Sequence, residues 1–381
     1  SYFGQAVILV LIQVGGLGLV TLTSFFALAM RRRMGFRDLR LMGESVSADG
    51  YAQAKEVLKT VVGLAALFEG IGILLLLFAF VPQFGLEGIW VSVFTAISAF
   101  CNAGFDLFGR FGQYSSLVPY VNNYYVQAVI MFMIIAGGLG FMVWVEIGQF
   151  HKKHRLSLQA KVVLSFSVIL WFGGAALIAL MEWNNPASMG DLSVPGKLMA
   201  ALFQSVSTRT AGMNTIDLAA CGPITKLLMS VLQFIGAAPG STGGGVKVTT
   251  FAVLFLTIRS VAQGRDDCVI ADHHIESKTV YRALTIIVIG ALAAFGSAVV
   301  VYYNTSDAVS VIDAIFESCS AFGTVGLSVG VTARLKDGAK LLYMAVMFMG
   351  RVGPVSLAMS LTAKPDDNKR KIMPVGHINV G

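Results

Sequence analysis

Three short strings of small and polar residues recur along the chain, and their composition suits cation binding. They cover residues 98–105, 205–213 and 320–327, roughly 110 residues apart, and each closes with a small residue, a glycine and an apolar residue. A dehydrating cation exchanges its water for oxygens, and backbone carbonyls can point at one axis only where the chain is extended and unhindered. Glycine supplies that freedom. The strings therefore predict a carbonyl filter for a monovalent cation.

The elements around each string repeat with it. Each string ends a short apolar segment, 89–100, 197–206 or 308–322, which at roughly 10–14 residues predicts a re-entrant helix. A span rich in glycine follows each string, at 137–140, 236–245 and 350–354, and a fourth copy of that span stands at 15–18. One glycine string would be weak evidence, because glycine is frequent in membrane helices. Three in register predict a repeated unit of span, re-entrant helix, extended strand and glycine-containing span.

The composition indicates that lipid surrounds most of the chain. Hydrophobic residues make up 56% and charged residues 13% of the 381 residues, a balance that a soluble domain of this length would hardly tolerate. Seven apolar runs approach the roughly 20 residues that cross a bilayer. They cover residues 8–30, 57–80, 126–141, 162–181, 227–256, 284–301 and 341–361.

The net charge of +7 reflects membrane topology, because the basic residues cluster after span ends. The clusters lie at 31–40, 152–161, 259–282 and 364–371, and all four fall on one side, which the positive-inside rule makes cytoplasmic. The opposite loops carry acidic residues. No basic patch interleaved with aromatic residues is visible, so the charge does not indicate nucleic acid.

Other functional classes fit the sequence less well. The string at 240–247 resembles a phosphate loop, but Val246 separates Lys247 from the glycines and the context is a membrane span. No catalytic constellation lies in the spans, which argues against an enzyme. The four cysteines show no metal-site spacing and read as small core residues or free thiols. A secondary transporter with inverted halves stays open as an alternative, although the units here are parallel.

At this point the chain resembles the Trk/Ktr/HKT superfamily of potassium transporters, and within it the membrane subunit of bacterial Ktr systems. Residues 100–105, 208–214 and 321–327 resemble its second, third and fourth filter segments. Residues 236–247 resemble its third-repeat intramembrane loop, and 350–354 its fourth-repeat gating motif. The resemblance covers nearly the whole chain. It implies that the first outer helix, first pore helix and first filter strand belong before Ser1.

The resemblance implies an all-α membrane protein with four pseudo-repeated helix–pore loop–helix units around one central pore, the first unit incomplete. The units would cover residues 1–45, 46–157, 158–275 and 276–381. It also implies potassium uptake, with a sodium-permeable relative as the alternative, and no cofactor besides K⁺ as the transported ion. The expected partners are a second copy of the chain, a cytoplasmic nucleotide-binding ring similar to KtrA, and membrane lipid. The expected location is the inner (plasma) membrane, with the basic loops and C-terminus cytoplasmic.

The resemblance assigns roles to two groups of residues. The filter ligands would be Asn102, Ala103, Gly104, Thr210, Ala211, Gly212, Thr324, Val325 and Gly326. The gate would be formed by Gly236, Ala237, Ala238, Pro239, Gly240, Ser241, Thr242, Gly243, Gly244, Gly245, Lys247 and Arg351.

Four charged side chains near these segments need partners. A cation within a span costs at least about 2.5–3.5 kcal/mol, so Arg351 must face water or a partner, and carbonyls freed by the adjacent helix break are candidates. Glu69 lies alone in an apolar span, where we expect either a packing hydrogen bond or water. For Arg209 and Glu317 we expect a structural role beside the filter strands.

Overall fold

The computed structural model describes residues 1–18, 51–265, 268–270, 273–305 and 309–353, with the backbone alone at 51–57 and 153. The basic clusters at 31–40 and 364–371, and Pro354 of the gating motif, lie outside the described residues. The described part contains twelve α-helices and one two-stranded hairpin, Val269–Ile270 with His273–His274.

The helices follow the predicted unit. Their bounds are α1 Tyr2–Leu17, α2 Tyr51–Phe84, α3 Glu87–Phe100, α4 Tyr124–Gly138, α5 Phe141–Lys153, α6 Leu158–Glu182, α7 Val194–Ser207, α8 Pro223–Phe234, α9 Val248–Ala262, α10 Ser277–Asn304, α11 Val311–Gly323 and α12 Asp337–Val352. Helices α2, α6 and α10 are outer helices, and α3, α7 and α11 are the short pore helices. Inner helices follow each pore helix. We also call α1 an inner helix, because it ends at the same Gly-Gly-Leu-Gly string as α4.

Three outer helices are long enough to cross a bilayer. Within the described residues, the segments Leu58–Phe84, Leu158–Glu182 and Ser277–Asn304 pass by length and apolarity. The pair Tyr124–Gly138 and Phe141–Lys152 would add a fourth span, bent by 98° at residues 139–140. The predicted span 227–256 is divided between α8 and α9. The predicted spans 8–30 and 341–361 are described only as far as Gly18 and Gly353.

The same helix–helix contacts recur from one unit to the next. Each outer helix contacts the pore helix of its own unit, as α2 with α3, α6 with α7 and α10 with α11. Each inner helix also packs against the pore helix of the next unit, as α1 with α3, α4 with α7 and α8 with α11. The same two kinds of contact therefore recur from each described unit to the next.

Serine caps begin two of the pore helices. Ser193 accepts a hydrogen bond from the Gly196 amide at the start of α7, and Ser310 accepts one from the Asp313 amide at the start of α11. These caps satisfy backbone donors that a helix start leaves free. The helices then end at the predicted filter strings, so their C-terminal partial negative charge faces the region where a cation would pass.

Candidate ion-conduction pathway

The three predicted filter strings, residues 98–105, 205–213 and 320–327, share one backbone conformation. Asn102, Thr210 and Thr324 have φ of 51°, 79° and 52°, and two residues later Gly104, Gly212 and Gly326 have φ of 75°, 77° and 92°. Residues other than glycine rarely adopt positive φ. Its recurrence at matching positions, directly after three pore helices, indicates that the strings are built alike.

The three filter glycines meet one another. A methyl group added at Gly212 would stand 3.1 Å from Gly104 Cα and 3.3 Å from Gly326 Cα, and it would overlap the Val325 carbonyl oxygen. A methyl group at Gly104 would stand 3.0 Å from the Ala211 carbonyl oxygen. The filter strings predicted from sequence therefore converge, and only glycine fits at their closest approach.

A serine on each pore helix fixes the far end of each string. Ser98 donates to the Phe105 carbonyl at 2.6 Å, and Ser320 donates to the Leu327 carbonyl at 2.6 Å. Ser207 donates in the same way to the Met213 carbonyl. Sequence reasoning gave these serines no role, although serine recurs in all three strings and that repetition was the available signal.

Three of the inner helices end at or next to matching glycines. Gly18 after α1, Gly140 after α4 and Gly353 after α12 have φ and ψ of 86° and 133°, 90° and 138°, and 97° and 131°. These residues close the strings Gly-Gly-Leu-Gly, Gly-Gly-Leu-Gly and Gly-Arg-Val-Gly. The third unit differs: α8 ends at Phe234 and α9 begins at Val248. We call residues 235–247 the intramembrane loop.

Consecutive residues of the intramembrane loop lie against the three filter strings. Thr242 accepts a hydrogen bond from Asn102 Nδ2 at 2.8 Å. A methyl group at Gly243 would overlap the Thr210 hydroxyl, and one at Gly244 would overlap the Thr324 hydroxyl. The loop therefore touches one residue of each described filter string, and its glycines permit that approach.

Backbone hydrogen bonds tie the loop to two other units. The Ala238 amide donates to the Gly138 carbonyl at 3.0 Å, and the Phe141 amide donates to the Gly240 carbonyl at 3.0 Å. The Gly245 amide donates to the Gly350 carbonyl at 3.2 Å. The loop is thus bonded to α4, α5 and α12, which lie outside its own unit.

Arg351 binds carbonyl groups of the loop and of α1. Its guanidinium donates to the carbonyls of Thr242 and Gly15, and to that of Gly16 at 3.1 Å. The expected kind of partner is present, but these carbonyls belong to other segments than the helix break beside Arg351. Carbonyl oxygens can satisfy the five donors of arginine without a carboxylate.

Two further basic side chains bind carbonyls of the loop, one from within the loop and one from a filter string. Lys247 Nζ donates to the Gly243 carbonyl at 2.7 Å. Arg209 is buried, donates to the Gly236 carbonyl at 2.8 Å and lies 5.7 Å from the centre of the Trp171 ring. Arg209 therefore joins the 205–213 filter string to the start of the loop, in agreement with the structural role expected for it.

Buried or half-buried carboxylates fix loops and helices near the filter. Glu317 accepts hydrogen bonds from Ser328 Oγ at 2.6 Å, the Val329 amide at 3.1 Å and the Thr332 amide at 2.9 Å. Glu69 accepts from Gln13 Nε2 at 2.9 Å, which supplies the packing hydrogen bond considered for it. Asp106 directly follows the 98–105 filter string. Burial raises the pKa of its carboxyl group, and a hydrogen bond from the Phe108 amide opposes that shift.

The chain is similar in sequence to known cation transport proteins. A family model described as TrkH, a cation transport protein, matches residues 1–372. The chain is 36% identical over 366 residues to Ktr system potassium uptake protein B of Vibrio alginolyticus, covering 95% of this chain and 79% of that protein. It is 32% identical over 382 residues to the Bacillus subtilis protein of the same name, covering 100% and 84%.

Two other similarities extend this comparison. Potassium/sodium uptake protein NtpJ of Enterococcus hirae is 34% identical over 364 residues, covering 95% of this chain and 79% of that protein. The crystal structure of the potassium transporter TrkH from Vibrio parahaemolyticus matches with a TM-score of 0.67 at 17% identity, covering 93% of this chain and 71% of that one, and shows the shared fold. The chain is an integral membrane transporter and not an enzyme, and it belongs to the TrkH family of cation transport proteins.

Proposed function

We propose that this chain is the ion-conducting membrane subunit of a potassium uptake system. The observation that carries the proposal is the convergence of Gly104, Gly212 and Gly326 from three strings with the same backbone conformation. The names of the Vibrio alginolyticus and Bacillus subtilis relatives, both potassium uptake proteins, support K⁺ as the ion.

In this proposal the filter ligands are backbone carbonyls. They belong to Asn102, Ala103, Thr210, Ala211, Thr324 and Val325, beside the three glycines. The pore-helix serines at the end of each string support this role, because a filter must hold its oxygens in place against a mobile ion. The proposed units are residues 1–45, 46–157, 158–275 and 276–381.

Sodium permeation is the competing function, since the Enterococcus hirae relative is named a potassium/sodium uptake protein. We favour potassium because all three strings in this chain keep glycine at the matching position, and selectivity depends on the flexibility and field of the carbonyl ligands. A secondary transporter would require alternating-access conformers that change with the bound ion.

Filter variants in reconstituted vesicles test this function. Gly212→Ser forces a side chain onto the Val325 carbonyl at φ of 77°, so we expect the K⁺-to-Na⁺ uptake ratio to fall at least about tenfold, the equivalent of about 1.4 kcal/mol. Gly326→Ser has more room, with Gly212 Cα 3.5 Å from the added atom, and we expect a smaller loss. Gly296→Ala, in α10 with open space around it, is the control. Unchanged uptake ratios in both filter variants would contradict the proposal.

The gate is the second part of the proposal. The intramembrane loop, its Lys247 and Arg351 would obstruct the path beneath the filter, and uptake would require the loop to withdraw. The contacts of Thr242, Gly243 and Gly244 with the three filter strings support this role. An always-charged guanidinium in a narrow cation path is also an electrostatic barrier.

The partner proposal concerns the cytoplasmic side of the plasma membrane. We propose a homodimer that docks on a cytoplasmic nucleotide-binding ring similar to KtrA, since the relatives named above are components of Ktr systems. The basic segments at 31–40, 151–161 and 259–282, with the C-terminus, would face that ring. Co-purification with such a partner and nucleotide-dependent flux only in its presence are the expected results. Full nucleotide regulation of the isolated subunit would contradict the docking proposal.

A further inference from the structure

Asn102, Thr210 and Thr324 hold the same place in their filter strings, yet one of them differs chemically. Two are threonines and one is asparagine, and all three have positive φ. Their side chains lie against three consecutive loop residues, Thr242, Gly243 and Gly244 respectively. Asparagine therefore stands at the one contact where the loop offers a hydroxyl group.

The asparagine amide makes a hydrogen bond that a threonine there could not reproduce. Asn102 Nδ2 donates to Thr242 Oγ1 at 2.8 Å, and Thr242 Oγ1 donates to the Phe100 carbonyl at 2.9 Å. The hydroxyl oxygen of threonine is one bond nearer the backbone than the amide nitrogen of asparagine. In the described part of the chain, the Thr210 hydroxyl has no hydrogen-bond partner, so its contact with the loop is steric alone.

Thr242 connects the loop to several elements at once. Besides the two side-chain bonds, its amide donates to the Gly137 carbonyl at 3.1 Å and its carbonyl accepts from Arg351. Gly137 lies on inner helix α4, and Phe100 ends pore helix α3. Every polar group of Thr242 is thus used in holding the loop under the filter.

The contact also leaves oxygens that withdrawal of the loop would release to water or ions. Among the residues that the structure describes, Asn102 Oδ1 and Thr210 Oγ1 have no hydrogen-bond partner, and both are buried while the loop lies against them. A buried unpartnered acceptor destabilises the state that contains it. The Thr242 hydrogen bonds therefore hold the loop in place, whereas the two unpartnered oxygens favour its withdrawal. Such opposing contributions are expected of an element that has a closed and an open state.

We propose that Asn102 is a latch residue, a positioning residue that holds the intramembrane loop closed through Thr242. The latch rests on the gating role proposed above for the loop. Opening would break the Asn102–Thr242–Phe100 chain and free the carbonyl of Phe100, which lies within the 98–105 filter string. Release of the gate and relaxation of the inner end of the filter would then be one event.

A double-mutant cycle tests the latch in vesicles that contain the full chain without a cytoplasmic partner. The variants are Asn102→Thr, which installs the residue of the other two strings, Thr242→Val, and both together. We expect each single variant to raise basal K⁺ uptake about five- to tenfold, and the double variant to raise it no further, because both remove the same bond. The K⁺-to-Na⁺ ratio of Thr242→Val should stay that of the native chain.

Two conservative changes separate the latch from general damage. Thr242→Ser keeps the hydroxyl and should restore low basal uptake, whereas Thr257→Val removes a hydroxyl that bonds within α9, to the Val253 carbonyl, and should have no effect. If Asn102→Thr does not fold, the comparison of Thr242→Val with Thr242→Ser decides alone.

Several outcomes would overturn the latch. Native basal uptake in Thr242→Val, equal uptake in Thr242→Val and Thr242→Ser, or multiplicative effects in the double variant would each do so. If shortening the loop raises uptake while Thr242→Val does not, the gate stands and the latch is wrong. If neither change raises uptake, the gate itself is wrong as well.

Discussion

The filter strings and the intramembrane loop both use glycine for close contacts, and the loop also contains a glycine in open surroundings. In the strings, glycine is closely packed: a methyl group added at Gly212 would overlap the Val325 carbonyl oxygen and stand 3.1–3.3 Å from the Cα atoms of the other two filter glycines. In the loop, methyl groups at Gly243 and Gly244 would overlap filter-string hydroxyls, whereas Gly240 has no atom within 4 Å of an added methyl group. Glycine permits close packing in both regions, and at Gly240 it also leaves room for movement.

The difference teaches where this molecule can change shape. Three of the described inner helices end at or next to a single glycine with nearly equal backbone angles, and the fourth is followed by a loop of thirteen residues between Phe234 and Val248. Pore helices and single-glycine turns form the repeated frame, whereas the loop occurs in the third unit alone among those described. Changes in the frame should cost stability, and changes in the loop should alter flux.

The largest expected effect is on the frame at Gly350. A methyl group there would overlap the Phe322 carbonyl at the end of pore helix α11, so Gly350→Ala must displace α12. Overpacking of this kind costs about 1–3 kcal/mol, and backbone displaced at a helix crossing lies at the upper end. Thermal unfolding in detergent measures the loss.

The matched control lies in the same helix. Gly338 in α12 has open space where a methyl group would stand, so Gly338→Ala should leave the unfolding temperature unchanged or slightly raised. Equal stability of the two alanine variants would show that the α11–α12 crossing is not rigid.

An intermediate effect is expected at Glu317. Glu317→Gln replaces one acceptor oxygen by a donor that faces the Ser328, Val329 and Thr332 groups. An unsatisfied buried donor costs about 1–3 kcal/mol. Urea or thermal unfolding should show destabilisation without raised basal flux, and raised flux with native stability would move Glu317 from the frame to the gate.

The sequence predicted the glycine-based features more fully than the side-chain contacts. The filter strings and the broken third span could be recognised because glycine and apolar length leave a local trace. The bond from Asn102 to Thr242 joins residues 140 positions apart, and spacing alone does not indicate such neighbours. Arg351 needed a partner on electrostatic grounds, but only the packing of α1 identifies Gly15 and Gly16.

The smallest expected effect concerns the ion pair between units three and four. Lys226 at the start of α8 and Asp313 on α11 lie 2.8 Å apart and are partly shielded from solvent. Lys226→Met should cost about 1 kcal/mol in thermal unfolding, since such pairs exceed exposed ones only modestly. Lys340→Met removes an exposed pair within α12 and should cost nothing measurable; a larger cost there would show that surface charge, not contact between units, dominates.

The most direct test of the central claim is basal cation uptake by partner-free vesicles after the loop has been disabled. The variants are deletion of residues 237–244 and Arg351→Ala, each checked for native thermal stability, with Gly338→Ala as the control. If the loop and Arg351 obstruct the path under the filter, both variants should raise K⁺ uptake at least about tenfold, equal to about 1.4 kcal/mol less barrier, while K⁺ stays preferred to Na⁺. Native basal uptake in both well-folded variants would contradict the gate, and lowered uptake would make Arg351 a structural clamp between the fourth unit and its neighbours.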